Sequence, residues 1–87
     1  MVNDLLEKEG TETVQAIKKL GVKALWAQAD ISNEQEVQRM FSDVFKHFDA
    51  VDILVNNAGV GSPLMVEDRP YEVWRRVIDT NLNAAFL

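Results

Sequence analysis

Cysteine is absent from the sequence, and His47 is the only histidine. A chain without thiols forms no disulfide framework and no thiolate metal site, and a single imidazole cannot anchor a metal ion on its own. No uninterrupted apolar run approaches the roughly 20 residues that span a bilayer, and the start, Met1-Val2-Asn3-Asp4, lacks the basic segment and apolar run of a signal peptide. We therefore expect a cytoplasmic protein with no metal and no membrane partner.

Clustered positive charge is also missing. Lys and Arg together number 9 against 14 Asp and Glu, so the net charge is −5, and no basic run is longer than the pairs Lys18-Lys19 and Arg75-Arg76. Nucleic acids and anionic membrane surfaces bind clustered basic side chains, so neither is an expected partner. The length of 87 residues, with 47% apolar and 26% charged side chains, allows one domain at most, spanning residues 1–87.

Two segments in the first half of the chain have helical spacing. Between Glu9 and Leu20, apolar side chains recur on one side, and Gly21 follows at the position where a left-handed residue ends many helices. Ser32 and Gln35 form a capping-box pattern, which predicts the start of a second helix. The apolar stripe of that helix is the clearest in the sequence: Val37, Met40, Phe41, Val44, Phe45 and Phe48.

A third helix is predicted from about Pro70 to Phe86, and a polar residue interrupts its apolar face. That face consists of Trp74, Val77, Ile78, Leu82 and Ala85, and Asn81 lies on the same stripe. Burying an amide without partners costs roughly 1 to 3 kcal/mol, so Asn81 should hold backbone groups, ordered water or a catalytic network. From spacing alone, a structural amide bonded to a neighbouring strand is as good an interpretation as a catalytic one.

Short apolar runs alternate with these helices. Val22 to Ala29 and Val51 to Val55 are predicted as strands of a parallel sheet, and Met1 to Asn3 resembles the end of another strand but is too short to form one. Strands that alternate with helices in this way define βαβ units. The predicted fold class is therefore α/β, a part of a doubly wound parallel sheet.

Polar residues follow each of these runs, and all should meet at one edge of the sheet. Asp4, Asp30 and Asn56 stand at the three carboxyl ends, and ligands of open α/β sheets bind in the crevice outside that edge. An acid in the position of Asp4 accepts hydrogen bonds from ribose hydroxyls and repels a 2′-phosphate, although a solvated acid near a helix start is the other interpretation. Asp30 either caps the following helix or lies beside an adenine ring.

Three motifs in this order resemble the short-chain dehydrogenase/reductase family. They are Asp30-Ile31, then Asn56-Asn57-Ala58-Gly59 directly after Asp52-Ile53-Leu54-Val55, then Trp74 followed by Asn81-Leu82. The resemblance covers essentially the whole chain and includes the bacterial glucose dehydrogenases and 3-oxoacyl-carrier-protein reductases. It implies a Rossmann fold and hydride transfer between a nicotinamide cofactor and an alcohol or ketone.

The resemblance also implies which residues contact the cofactor. Asp30 and Ile31 would flank the adenine. The residues that would approach the adenosine ribose and neighbouring backbone are Asn56, Ala58 and Gly59. Asp4 would match the acid that selects NAD, while its place near the start of the chain leaves NADP open.

One further match and two departures concern catalysis. Asn81 would match the asparagine of the family's catalytic tetrad, which holds a water in a proton relay to the catalytic lysine. The family's serine and Tyr-x-x-x-Lys motif have no counterpart, since the only tyrosine, Tyr71, precedes Asn81 and is followed four residues later by Arg75. The four glycines do not form the glycine-rich phosphate loop that opens the family fold.

These departures predict a partial Rossmann domain that lacks the first strand and the C-terminal half of the family fold and is inactive alone. The alternatives are a non-catalytic nucleotide-binding or interaction module and a purely structural α/β domain. In the family's strand order the missing first strand lies between the ends at Asp4 and Asn56, so two strand edges would face a gap. We therefore expect poor stability and association with another copy or with a complementary fragment.

Overall fold

The computed structural model describes residues 1–87, and its sheet begins with the first residues of the chain. Strand β1, Val2–Asn3, pairs in parallel with strand β2, Trp26–Ala27, so that Val2 lies opposite Trp26 and Asn3 opposite Ala27. The expectation that this first segment is too short to form a strand is wrong. The reason lies in the side chain of Asn3. Its amide donates to the carbonyls of Ala27 at 3.1 Å and Ala29 at 3.0 Å, so the contact between the two segments extends beyond the two paired residues.

Helix α1, Glu7–Lys19, is the crossover between these two strands. It begins two residues before the predicted Glu9, with acidic side chains in its first turn and basic ones in its last, as the helix dipole favours. Gly21 has a φ of 81°, which confirms the left-handed residue expected after this helix. Residues 7–19 pack against both strands of the sheet.

Strand β2 is much shorter than the predicted strand from Val22 to Ala29. Only two residues are paired because β1 offers only two partners. The flanking residues Ala24 and Ala29 are nevertheless almost fully buried, with 2% and 1% of their surface exposed. The run is therefore a buried segment, as predicted, but only its centre forms a ladder.

Helix α2, Glu34–His47, begins at a different cap from the predicted one. Asn33, and not Ser32, is the N-cap, because its Oδ1 accepts from the backbone N–H groups of Gln35 at 3.0 Å and Glu36 at 3.2 Å. The apolar stripe faces inward at Val37 and Val44, which are buried, whereas Phe45 at the stripe's margin is 56% exposed.

The predicted strand from Val51 to Val55 is not formed. No backbone group in this segment makes a hydrogen bond, and its apolar side chains face solvent, with Ile53 83%, Leu54 60% and Val55 75% exposed. An extended apolar segment becomes a strand only when a neighbouring strand takes up its backbone groups, and β2 occupies the one paired edge of β1. The pattern therefore identified a strand-forming sequence without a partner.

Helix α3, Tyr71–Asn81, is shorter than the predicted helix, and a separate 3₁₀ turn at Asn83–Ala85 follows it. The apolar face of α3 was expected to be core, but none of its residues is buried, and Trp74 is 45% exposed and stacks on Tyr71. The buried apolar residues are Val14, Ala24, Ala29, Val37 and Val44. The core thus lies around α1, β2 and α2, and α3 stands outside it.

The chain is expanded for its length. Its radius of gyration is 15.0 Å, whereas a compact domain of this size has a value of about 12 Å. The principal extents of 49 × 24 × 19 Å describe the same elongation. No helix combines the length and the apolarity that a membrane span requires.

Candidate functional site

A groove of about 1130 Å³ runs beside the free edge of β1. Of its 23 lining residues 18 are hydrophobic, and they come from β1, α2, the 51–58 segment and the last residues of the chain. Four of the seven residues predicted for the site line this groove: Asp4, Ile31, Asn56 and Ala58. The carboxyl end of β1, Ile31 and the end of the 51–55 segment therefore border a single cavity.

Asp4 stands at the end of β1 and is half-buried. Its Oδ1 accepts a hydrogen bond from the Leu6 N–H at 2.9 Å, a turn that fixes the carboxylate just before α1. The Asp4 carbonyl accepts from Nε1 of Trp26 at 3.1 Å, which ties the end of β1 to the indole. The second carboxylate oxygen makes no hydrogen bond within the chain, so it is available to a hydroxyl donor.

Asp30 is not among the residues that line the groove, although Ile31 is. Its Oδ1 accepts from both the N–H at 2.9 Å and the hydroxyl at 2.7 Å of Ser32, and its own N–H donates to the Glu36 carboxylate at 2.8 Å. Asp30 therefore builds the turn that precedes α2, but it does not cap the helix, because Asn33 is the N-cap. The same turn places Ile31 at the groove.

The segment after Val55 divides between the groove and α3. Asn56 and Ala58 line the groove, whereas Gly59 does not. Gly59 instead lies against Asn81, where a Cβ would stand 3.3 Å from Oδ1 and 3.7 Å from Cγ. The glycine thus permits a close approach between this loop and the C-terminal end of α3.

Asn81 is exposed, so the expectation that it is a buried polar group is wrong. Both polar atoms of its amide nevertheless bond one backbone residue, because Oδ1 accepts from the Val60 N–H at 2.8 Å and Nδ2 donates to the Val60 carbonyl at 2.9 Å. We call this pair of bonds the Asn81 clamp. It is the only side-chain hydrogen-bonded link between α3 and the 56–60 loop. Asn81 thus holds backbone groups, as expected, but they belong to a loop and not to a neighbouring strand.

Val60 is the site residue that sequence reasoning missed. Its contribution is made by backbone groups, which carry no signal in the side-chain pattern. The sequence indicated only that such a partner exists. The amide of Asn81 lies in an apolar stripe and needs a hydrogen-bond donor and acceptor from another part of the chain.

A second, smaller cleft of about 360 Å³ lies between Ser32 and one face of α3. Two acids and two arginines line it, and Arg75 is already paired with Asp79 at 3.3 Å. None of the predicted site residues lines this cleft. Nor do any three of the chain's His, Asp and Glu side chains lie close enough together to hold a metal ion.

Asp43 forms an ion pair with Lys46 and does not line the groove. On the exposed face of α2, a hydrogen bond from Lys46 at 2.7 Å and the charge of that amine hold the pKa of the Asp43 carboxyl below its ordinary value. This pair belongs to the surface of the helix.

The sequence profile of one protein family, the short chain dehydrogenases, matches residues 1–87. Among curated relatives, glucose 1-dehydrogenase 2 of Bacillus subtilis is 39% identical over 77 residues, which are 87% of this chain and 30% of that protein. The 3beta-hydroxysteroid dehydrogenase 1 of Eggerthella lenta is 40% identical over 80 residues, which cover 92% of this chain and 31% of the relative.

Solved structures of similar fold come from the same group of enzymes. A gluconate 5-dehydrogenase from Burkholderia cenocepacia, crystallised with NADP and tartrate, superposes with a TM-score of 0.83 at 25% identity. The match covers 98% of this chain and 33% of that structure. The chain thus spans about a third of the length of the proteins it matches, and its α/β architecture is part of their Rossmann fold. From the match over its entire length, this chain belongs to the short chain dehydrogenase family.

Proposed function

We propose that this chain forms the adenosine-binding part of an NAD-dependent oxidoreductase. In the complete enzyme, hydride passes between the nicotinamide and an alcohol or ketone, and residues 1–87 on their own do not perform that step. The observation that carries the proposal is the convergence of Asp4, Ile31, Asn56 and Ala58 on one groove beside the carboxyl end of β1.

The groups at this edge suit the adenosine half of a dinucleotide. The free oxygen of the Asp4 carboxylate is an acceptor for a ribose hydroxyl, and Ile31 supplies apolar surface for one face of a purine ring. Asn56 adds an amide that can donate and accept. When bound, the cofactor supplies the hydride chemistry, while these residues bind and orient its adenosine end.

The neighbourhood of Asp4 favours NAD over NADP. A 2′-phosphate would bring negative charge next to the carboxylate, and the following residues, Leu5 and Leu6, are exposed and uncharged. No cation follows Asp4 in the turn to compensate such a charge. The Burkholderia gluconate 5-dehydrogenase was crystallised with NADP, so the fold alone does not select NAD, and the proposed preference rests on the surroundings of Asp4.

The proposed role of Asn81 is positional. The Asn81 clamp holds Val60, and Val60 ends the loop that carries Asn56 and Ala58 to the groove. Both polar atoms of the amide bond Val60 in this contact. Asn81 would therefore contribute to catalysis in the complete enzyme by fixing this loop.

Calorimetric titration with NAD tests the proposal. We expect saturable binding at millimolar cofactor, a clear loss of affinity in Asp4→Asn, and unchanged affinity in the control Asp68→Asn, whose exposed acid lies outside the groove. The unsubstituted chain should bind NADP more weakly than NAD, and Asp4→Asn should reduce this difference in affinity. Absence of heat with either cofactor, or equal loss in both variants, would refute the adenosine site.

A further inference from the structure

The turn between β1 and α1 is held by two side chains from the segment that contains β2. Trp26 donates from Nε1 to the carbonyl of Asp4 at 3.1 Å, and Gln28 donates from Nε2 to the carbonyl of Leu5 at 2.8 Å. The two donors are two residues apart, so they stand on the same face of an extended segment. Two consecutive carbonyls of the turn are thus bonded to one neighbouring segment.

The Gln28 bond also orients the group that holds the Asp4 carboxylate. The Leu5 carbonyl and the Leu6 N–H belong to one planar peptide unit, so a bond that fixes the carbonyl fixes the direction of the N–H as well. That N–H donates to Oδ1 of Asp4 at 2.9 Å. The Trp26 bond holds the preceding peptide unit, so the backbone on the C-terminal side of Asp4 is bonded at both of its carbonyls.

Trp26 reaches the turn because Gly10 has no side chain. The indole lies against Gly10, where a Cβ would overlap its Cδ1 and Nε1 atoms. Gly10 is buried within α1, and Trp26 is half-buried. In such partly buried surroundings a hydrogen bond is stronger than in water. The packing of the indole on α1 therefore supports the bond from Nε1 to the Asp4 carbonyl.

Neither donor lines the groove, although Asp4 does. An effect of Trp26 or Gln28 on a nucleotide in the groove must therefore act through the Asp4 turn. We propose that Trp26 and Gln28 are positioning residues for cofactor selectivity, which fix the Asp4 carboxylate where it accepts from a ribose hydroxyl and repels a 2′-phosphate. This selectivity role rests on the adenosine site proposed above.

The position of the carboxylate affects the two cofactors in opposite directions. A hydroxyl donor must lie about 2.5 to 3.0 Å from the acceptor, and the bond weakens steeply as its angle closes. The repulsion between a carboxylate and a phosphate falls as their distance grows. A carboxylate that turns away from the ribose therefore weakens the binding of NAD and relieves the repulsion of NADP. A general loosening of the fold would instead lower both affinities alike.

Calorimetric titration of matched variants with NAD and with NADP tests the two donors. Trp26→Phe keeps an aromatic ring beside Gly10 but removes the N–H, and Gln28→Met keeps the length of the side chain but removes its donor. Each should reduce the ratio of NAD affinity to NADP affinity by about 2- to 10-fold, the effect of one hydrogen bond. In the Asp4→Asn background neither should reduce the ratio further, because the carboxylate that they position is gone.

The controls carry the same substitutions elsewhere in the chain. Trp74→Phe alters an indole that stacks on Tyr71 and does not line the groove. Gln38→Met removes a hydrogen bond to Glu34 on α2. Both should leave the affinity ratio unchanged. Because Gln28 is exposed, Gln28→Met keeps the test decisive if Trp26→Phe destabilises the chain.

Hydrogen exchange of the Leu6 amide gives a readout that needs no cofactor. It should be faster in Trp26→Phe and Gln28→Met than in the unsubstituted chain, since both variants loosen the turn that holds this N–H against Asp4. Trp74→Phe and Gln38→Met should not change it. An unchanged Leu6 exchange rate in both turn variants would overturn the positioning role.

The titrations separate this role from the adenosine site itself. An unchanged affinity ratio, an equal loss of both affinities, or the same reduction in the Asp4→Asn background would overturn the positioning role. If Asp4→Asn alone reduces the ratio, the adenosine site stands and only the role of Trp26 and Gln28 fails. If the unsubstituted chain binds neither cofactor, the adenosine site is refuted and the positioning role with it.

Discussion

The Asn81 clamp makes a prediction about the loop that borders the groove. Replacing Asn81 by Ala removes both hydrogen bonds to Val60, at 2.8 and 2.9 Å, and leaves the Val60 N–H and carbonyl to solvent. A neutral hydrogen bond contributes about 0.5 to 1.5 kcal/mol net. Since the site is exposed, water takes over part of what is lost, and we expect a total of about 1 to 2 kcal/mol.

Hydrogen exchange of the Val60 amide measures this effect directly. A loss of 1 to 2 kcal/mol corresponds to exchange that is roughly 5 to 30 times faster in Asn81→Ala. Asn81→Asp keeps the acceptor for the Val60 N–H but places a carboxylate against the Val60 carbonyl. It should therefore weaken the loop contact as well, while preserving side-chain volume.

The control for this prediction is a second asparagine at the same end of α3. Asn83 donates from Nδ2 to Asp79 at 2.8 Å and has no contact with Val60. Asn83→Ala should leave the exchange of the Val60 amide unchanged. If Val60 exchanges at the same rate in the parent chain and in Asn81→Ala, the clamp does not hold the loop, and the positional role proposed for Asn81 fails.

Three further predictions concern the scaffold. A Cβ at Gly10 would overlap the Trp26 indole, so Gly10→Ala should lower the free energy of unfolding, measured by urea denaturation, by about 1 kcal/mol or more, despite the better helix propensity of alanine. Asn33→Ala removes the cap of α2 and should cost about 1 kcal/mol in the same assay. Because the Lys46 bond lowers the folded pKa of Asp43, the pair should stabilise the chain above the carboxyl's unfolded pKa. That contribution should vanish as the pH falls through the folded pKa, and a carboxyl titration followed by NMR should give a midpoint below the ordinary one.

Matched variants sharpen these three experiments. Gly61→Ala adds a Cβ that meets no atom within 4 Å, so it should leave the urea midpoint essentially unchanged. Ser32→Ala removes a bond to Asp30 but keeps the cap of α2, so its effect should be smaller than that of Asn33→Ala. An equal loss of stability in Gly10→Ala and Gly61→Ala, or in Asn33→Ala and Ser32→Ala, would contradict the contacts described. For Asp43, removing the amine in Lys46→Gln should return the carboxyl midpoint towards its ordinary value.

Helices were predictable because their signals are local. Six apolar residues at helical spacing located α2, and Gly21 located the end of α1. The predicted cap of α2 was one residue too early. Ser32 and Asn33 both have side chains that can cap a helix, and only the hydrogen bonds show that Asn33 does so. The end of α3 was misplaced because its apolar spacing continues into the 3₁₀ turn.

Strands were less predictable because pairing depends on distant residues. The run Val51 to Val55 has the composition of a strand, but no neighbouring strand takes up its backbone groups. Conversely, the two residues of β1 pair because the Asn3 amide adds contacts to Ala27 and Ala29 that composition does not reveal. The α/β fold class and the family were nevertheless predicted correctly, since they rest on the order of motifs along the chain.

The arrangement of the site was partly predictable for the same reason. Asp4 and Asn56 both follow apolar runs, and the rule that parallel strands end at one edge brought them to a common groove. The local turn of Asp30 and the partner of Asn81 depend on backbone geometry, which residue types alone do not define.

The most direct test of the adenosine site is an NMR titration of the labelled chain with NAD. We expect the amide signals of Asp4, Ile31, Asn56 and Ala58 to shift together with one saturation curve, while those of α3 from Tyr71 to Arg76 stay in place. Shifts confined to the polar cleft beside α3, or no shifts at all at millimolar NAD, would contradict the proposed adenosine site.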